Sequence, residues 1–435
     1  MTSRPRVTAF ATGLASAYRF WLALVLCCAL AACGGGGGSD TSGAAAGGTP
    51  PESAAPPDAS APASTSESTT VAQSTTPNVV PVSVGDSPTL TSDMLTTSVT
   101  VCVPGTSTCA TIDNVQVDTG SEGLRLLASA LPAGFALPAV TAGAGSSAAG
   151  ECAVFGTGYT WGAVRRADVR LAGELAPALP IQLIADPSVP ADAPTACADS
   201  GLAMNDAATL RVNGILGVGL FAADCGIGCA DGALAPWYYA CDSASCAASA
   251  QPLAQQVGNP VAAFATDNNG VMIALPAVGN DGSATATGTL TFGIGTQANN
   301  APGAATILRA HPGTGFVTTT TSDGTIYAQS YFDSGSNGLF FWSSTLARCD
   351  AWYCPASPQS LAATITGTDG ATAAASFTVA NADALFATGN EAFDNLAGYN
   401  GNMFGWGLPF FFGRRVFIAI ESQPTPAGAG PYYAF

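Results

Sequence analysis

The chain of 435 residues carries 29 acidic and 12 basic residues, a formal charge of −17, and only 9% of it is charged against 48% hydrophobic. Every basic residue is an arginine, none of them in a tract, so a nucleic-acid ligand and adhesion to anionic lipid through a basic patch are both excluded. The length allows one large domain or two lobes and does not choose between them.

Taken from the N-terminus, Arg4, Arg6 and Arg19 precede the apolar run from Phe20 to Ala32. The run is too short to span a bilayer comfortably and ends in small residues, so residues 1–33 read as an export signal. It closes as Leu30-Ala31-Ala32-Cys33-Gly34, which resembles the lipobox of bacterial lipoproteins. The resemblance implies that Cys33 becomes the lipidated first residue and ties the chain to a membrane. With Gly34 next, it implies sorting to the outer membrane, facing the periplasm or the cell surface. Residues 34–77 are Gly, Ala, Ser, Thr and Pro with almost no large apolar side chains. Such a stretch cannot bury enough surface to offset chain entropy, and a disordered tether is expected there.

From Asn78 onward the pattern changes to short alternating stretches: "SVTVCV" (98–103), "NVQVD" (114–118), "GVMIAL" (270–275), "GTLTFGIG" (288–295) and "RVFIAI" (415–420). Gly, Pro and Asn-Gly signals break them, which predicts strands and hairpins and an all-β body. "PLAQQVGNPVAAFA" (252–265) is the best helical candidate. Of 13 cysteines, Cys27, Cys28 and Cys33 belong to the signal, leaving ten, an even number suited to disulfides in an oxidising compartment. Cys102/Cys109 and Cys349/Cys354 flank short loops that a local disulfide would close. Cys225, Cys229, Cys241 and Cys246 fit two disulfides or a four-thiolate zinc site, and export favours the disulfides.

One motif occurs twice. "QVDTGSEGLRL" at 116–126 and "YFDSGSNGLFF" at 331–341 place Asp118 and Asp333 215 residues apart, and Gly120/Gly335, Ser121/Ser336, Gly123/Gly338 and Leu124/Leu339 are identical. Thr119/Ser334 keep a hydroxyl. Each aspartate follows an alternating stretch and should sit where a strand ends, with a glycine two residues later permitting a sharp turn. The spacing is too long for a solenoid repeat and suits duplicated lobes. A third Asp-Ser-Gly, at 199–201, lacks the strand before it and the Ser and Gly after it.

The repeat resembles the catalytic loops of the pepsin family of aspartic peptidases. "VFGTGYTWG" (154–162) looks like that family's flap hairpin, and "GILGVGLF" (214–221) like the segment crossing behind the first loop. "GTLTFGIG" looks like the strand closing the first lobe, and "FFFGRRVFIAIE" (410–421) like the second crossing segment with its terminal strand. The resemblance implies a bilobal all-β fold with a cleft between two barrel-like lobes, divided here as 78–285 and 286–435. It implies catalysis by Asp118 and Asp333, support from Thr119, Gly120, Ser121, Ser334, Gly335 and Ser336, and a flap and substrate-binding group of Phe155, Gly156, Thr157, Tyr159 and Arg125. No cofactor or metal is implied, and the partner is a peptide or unfolded protein met by a monomer. Two positions depart from the family pattern: Phe155 stands where flaps have a tyrosine, and Arg125 where the first catalytic strand has a tryptophan. Phe155 against the Arg125 guanidinium would make a cation–π contact, or Tyr159 would take over the flap role.

Three readings follow: an exported, lipid-anchored aspartic endopeptidase; a binding protein that captures peptide or polysaccharide on the same scaffold without turnover; and an acidic adhesin with a chance repeat. The only histidine, His311, leaves a histidine-based triad one ring to rest on and excludes a multi-histidine metal centre.

Overall fold

Short runs, many with β-branched residues alternating with polar ones, build almost all of the regular secondary structure. In the computed structural model they become 25 strands, from Val79–Val84 to Tyr432–Ala434, with only a few helical turns between them. The structure describes residues 76–85, 89 and 91–435, all within the compact unit Thr70–Phe435; the signal, Cys33 and nearly all of the 34–77 stretch lie outside the described residues. The expected all-β class is the observed one.

The strands form a 16-stranded sheet and a 9-stranded sheet. In the larger one, Gly158–Leu171 pairs with Glu174–Ile184 on one side and with Thr96–Cys102 on the other, so that six strands close into a barrel. Beyond the barrel the same sheet continues through Val79–Val84, Ala286–Phe292, Gly270–Ala274, Arg415–Ala419, Tyr432–Ala434 and Ile307–Arg309. The expected division at 285/286 therefore falls between two hydrogen-bonded strands of one sheet, Gly270–Ala274 and Ala286–Phe292. The 9-stranded sheet begins with Val317–Thr321.

Both repeats sit in the same topological device. Gly214–Val218 runs parallel to Cys109–Asp118, with Asp118 opposite Gly217, and antiparallel to Glu122–Leu127, with Leu124 opposite Leu216. It thereby separates the two strands that flank the first aspartate loop. In the second sheet Phe404–Trp406 does the same, parallel to Ile326–Phe332 and antiparallel to Leu339–Phe341. The registers make Leu216 and Trp406 equivalent, and so Gly217 and Gly407.

This corrects one expectation. The second crossing segment is Phe404–Trp406 with Gly407, and not the run ending at Gly413. A Cβ on Gly407 would lie 2.1 Å from the Gly338 carbonyl oxygen, so the close approach to the aspartate loop requires glycine there. The more hydrophobic Phe410-Phe411-Phe412 run is instead buried in the core next to Arg415–Ala419, which pairs with Gly270–Ala274.

Residues 252–265 form two short 3-10 turns, Leu253–Gln255 and Val261–Ala263, in place of a helix. Pro260 has no N–H to give a helix, and the Asn259 side chain competes for the backbone. Its Nδ2 donates to the Gly219 and Phe221 carbonyls, and its Oδ1 accepts from Val261 N–H.

All ten cysteines of the described region are paired, Cys102–Cys109, Cys152–Cys197, Cys225–Cys229, Cys241–Cys246 and Cys349–Cys354. The four thiols with zinc-like spacing are therefore two disulfides. The closest cluster of metal-binding residue types among the described residues, Cys349, Cys354 and Asp383, has both sulfurs already bonded to each other.

Candidate active site

Val115 and Val117 are fully buried, and this anchors the strand that delivers Asp118 to the barrel's end; buried Phe332 does the same for Asp333. At each strand end the chain turns back and folds its own donors onto the carboxylate. Gly120 N–H donates to Asp118 Oδ1 at 2.8 Å and the Ser121 hydroxyl to Oδ2 at 2.5 Å. In the second loop Gly335 N–H and Ser336 N–H donate to Asp333 Oδ1 at 2.8 and 3.2 Å, and the Ser336 hydroxyl to Oδ2 at 2.7 Å. The oxygens facing these donors are fixed before any ligand arrives.

The loops hold each other by reciprocal bonds. Ser334 N–H donates to Thr119 Oγ1 at 2.9 Å, and Thr119 N–H to Ser334 Oγ at 3.2 Å. Each hydroxyl then donates across to the opposite strand, Thr119 to the Phe332 carbonyl at 3.1 Å and Ser334 to the Val117 carbonyl at 2.8 Å. All four groups are buried, so every one of these bonds replaces a partner that water would otherwise supply. Gln116 Nε2 adds a further link to the Gly335 carbonyl at 2.9 Å.

This grip brings the two carboxyls face to face, so that a Cβ on Gly335 would lie 2.6 Å from Asp118 Oδ1 and 3.1 Å from Asp333 Oδ1. The glycines are what let the loops meet. A Cβ on Gly120 would likewise lie 2.6 Å from Asp333 Cγ. Withdrawal from solvent, then the nearby Asp118 carboxyl, push Asp333 up to about 8, against the pull of the Ser336 and Gly335 donors. Tyr331, beside the two carboxyls, is also pushed upward, by burial and by both aspartates.

The flap residues divide between two faces. Ala148–Phe155 and Gly158–Leu171 form a hairpin whose turn is Gly156-Thr157, and both turn residues are exposed. Phe155 lies with its ring centroid 5.8 Å from the Arg125 guanidinium carbon, which is the cation–π arrangement. Tyr159 points to the other face, 7% exposed, in a cluster with Cys152, Trp161 and Tyr239. Its ring therefore does not replace Phe155 on the face shared with Arg125. Arg125 is 2% exposed and turned into the protein, a correction to its expected place among substrate-contacting residues. The third Asp-Ser-Gly, at 199–201, follows the single helical turn Thr195–Ala198 and carries no such constellation. His311 is exposed in a turn.

One acid of the site was not picked out from the sequence. Glu122, within the first loop, accepts from Phe221 N–H at 3.3 Å. Withdrawal from solvent pushes it up to about 8, with Asp118 and Glu421 adding to the rise. Its counterpart in the second loop is Asn337, and the non-identity at this step of the repeat was the available signal.

Residues 74–435 match the model of a family described as "Protein of unknown function (DUF3443)", and the chain belongs to that family. No curated protein matches it. Among solved structures it is similar to the aspartic proteinase from Irpex lacteus, with 17% identity, 82% of this chain and 96% of that chain covered, and a TM-score of 0.49.

Proposed function

We propose that the chain is an exported, lipid-anchored aspartic endopeptidase. The observation that carries this reading is the carboxyl pair Asp118/Asp333, brought face to face across Gly120 and Gly335 and clamped by the reciprocal Thr119–Ser334 bonds. With one proton on the pair, the protonated carboxyl donates to the carbonyl oxygen of a peptide bond while the ionised one takes a proton from a water. The water oxygen bonds to the carbonyl carbon, the amide nitrogen is then protonated, and the C–N bond breaks to give a free acid and a free amine. No acyl-enzyme is formed and no other cofactor enters. Five disulfides fit an oxidising compartment. Cys33 is the proposed site of lipid attachment, and among the described residues no helix is long and apolar enough to cross a membrane.

The test is the pair itself. Asp118→Asn and Asp333→Asn should each remove nearly all cleavage of an unfolded protein substrate, with the double variant hardly worse than either, because the two act as one unit. Wild-type activity should fall as pH rises past about 8, where the shared proton is lost. A statine-type inhibitor should compete with substrate. A second reading is favoured by the buried Arg125 and the phenylalanine at position 155: a peptide-binding protein without turnover. Wild type that binds the statine peptide and cleaves nothing between about pH 3 and about pH 8 would establish that reading instead. A Cys33→Ser variant should leave the membrane fraction and keep its fold.

A further inference from the structure

Where the first aspartate loop meets the hairpin, three charged side chains are buried together. Arg125 is 2% exposed, Glu151 0% and Asp224 3%. Arg125 Nη2 donates to Glu151 Oε1 at 2.6 Å and to Asp224 Oδ2 at 3.2 Å, and Nη1 donates to the Glu122 carbonyl at 2.6 Å. Tyr238 donates to Asp224 Oδ1 at 2.7 Å and accepts from Val257 N–H at 2.7 Å. Gln182 donates to the Glu151 carbonyl at 2.8 Å and accepts from the Thr160 hydroxyl at 2.7 Å. One guanidinium thus reaches three chain segments: the strand leaving the Asp118 loop, the first strand of the hairpin, and the loop pinned by Cys225–Cys229.

Burying such a group is costly, and a well-packed apolar replacement would hold the fold as well or better. What ions and forked bonds supply beyond that is direction. Glu151 lies four residues before Phe155 on one strand, so both project from the same face, and Arg125 touches both. We propose that Arg125 is a positioning residue: with Glu151 and Asp224 it sets the height and register of the tip Phe155-Gly156-Thr157 against the Asp118 loop. The catalytic consequence rests on the peptidase reading; the positioning itself does not.

The experiment uses the full chain as wild type, Arg125→Lys, Asp224→Asn, and the neutral triple variant Arg125→Met/Glu151→Gln/Asp224→Asn. Amide exchange is compared at residues 151–158 and at the Gln359–Val379 hairpin, which serves as reference. In the triple variant the reference should exchange as in wild type while residues 151–158 exchange about tenfold faster. KM for an unfolded protein substrate and the Kd of a statine peptide should rise about tenfold, with kcat within about threefold of wild type. Arg125→Lys should behave like the triple variant, since an ammonium cannot reproduce three directed bonds, whereas Asp224→Asn, which keeps the Arg125–Glu151 pair and loses an accepting oxygen, should fall between wild type and the triple variant. Unchanged exchange at 151–158 in the folded triple variant, or equal loosening of both hairpins, would overturn the proposal. Should the triple variant not fold, Arg125→Lys decides in the same way. If the wild type neither cleaves nor binds the statine, the peptidase reading falls and the exchange data still decide the positioning.

Discussion

At the residue scale the site depends on what is missing as much as on what is present. Gly120 and Gly335 each face the other loop's carboxylate at a distance that leaves no room for a methyl group. Gly120→Ala or Gly335→Ala should therefore push the two carboxyls apart and cut turnover by about 100-fold or more, since misplacement by about 1 Å has effects of that size. Gly232→Ala, where a Cβ meets nothing within 4 Å, should change neither turnover nor the urea midpoint. The measurement is kcat/KM together with statine affinity; a Gly120→Ala variant as active as wild type would mean that the contact is not needed. This much was legible in the sequence, because the repeat of Asp, hydroxyl, Gly, Ser, Gly and Leu is local and each position has one job. The partners of Arg125 were not, because Glu151 and Asp224 are 26 and 99 residues away and only the folded barrel brings them to one point.

At the scale of elements, the hairpin that carries Phe155 is held on both sides. Tyr238–Cys241 pairs with its first strand and Leu202–Ala203 with its second, while Cys152 joins it to Cys197 on the helical turn Thr195–Ala198. The Cys152–Cys197 link closes a span of 45 residues, against 7 for Cys102–Cys109. On the chain-entropy account it should stabilise the fold by about 1.6 kcal/mol more than the shorter one. Cys152→Ser/Cys197→Ser should accordingly lower Tm further than Cys102→Ser/Cys109→Ser, and only the former should speed exchange at residues 151–158. Equal effects of the two pairs, or a larger one from Cys102/Cys109, would contradict this. The hairpin was readable from "VFGTGYTWG", and so were the strands with strict alternation. The second crossing segment was not: Phe-Gly-Trp-Gly has too few apolar residues to stand out, and its role comes from lying between two strands far upstream in the chain. The 252–265 stretch failed as a helix for the reason that Asn259 and Pro260 offer the backbone other arrangements.

At the scale of the whole molecule, a chain of net charge −17 keeps several of its acids where ionisation is disfavoured. Asp333 and Glu122 are each pushed up to about 8, and Asp93, Asp224 and Asp394 are raised too, in every case chiefly by withdrawal from solvent. Their ordinary values are 3.8 for the aspartates and 4.5 for Glu122, so the folded state binds protons that the unfolded chain gives up. These acids contribute stability that is complete below those ordinary values and is lost as pH rises through the folded ones. Asp186, beside Arg165, and Asp323, bonded by Thr321 and Thr325, are shifted the opposite way. They stabilise above 3.8, and that contribution disappears as pH falls through their lowered folded values. The two sets meet near the ordinary carboxylate range, and self-repulsion among the 29 acids grows on the alkaline side. The urea midpoint should therefore peak near about pH 4 and decline steadily toward about pH 9. Glu122→Gln, which keeps a neutral side chain at that site, should flatten the decline and raise the midpoint at neutral pH while leaving it unchanged in acid. A midpoint that stays level or climbs between about pH 5 and about pH 8 would show that these acids give up their protons in the folded protein at least as readily as in the unfolded chain, and with them the dyad's shared proton would be lost as an explanation.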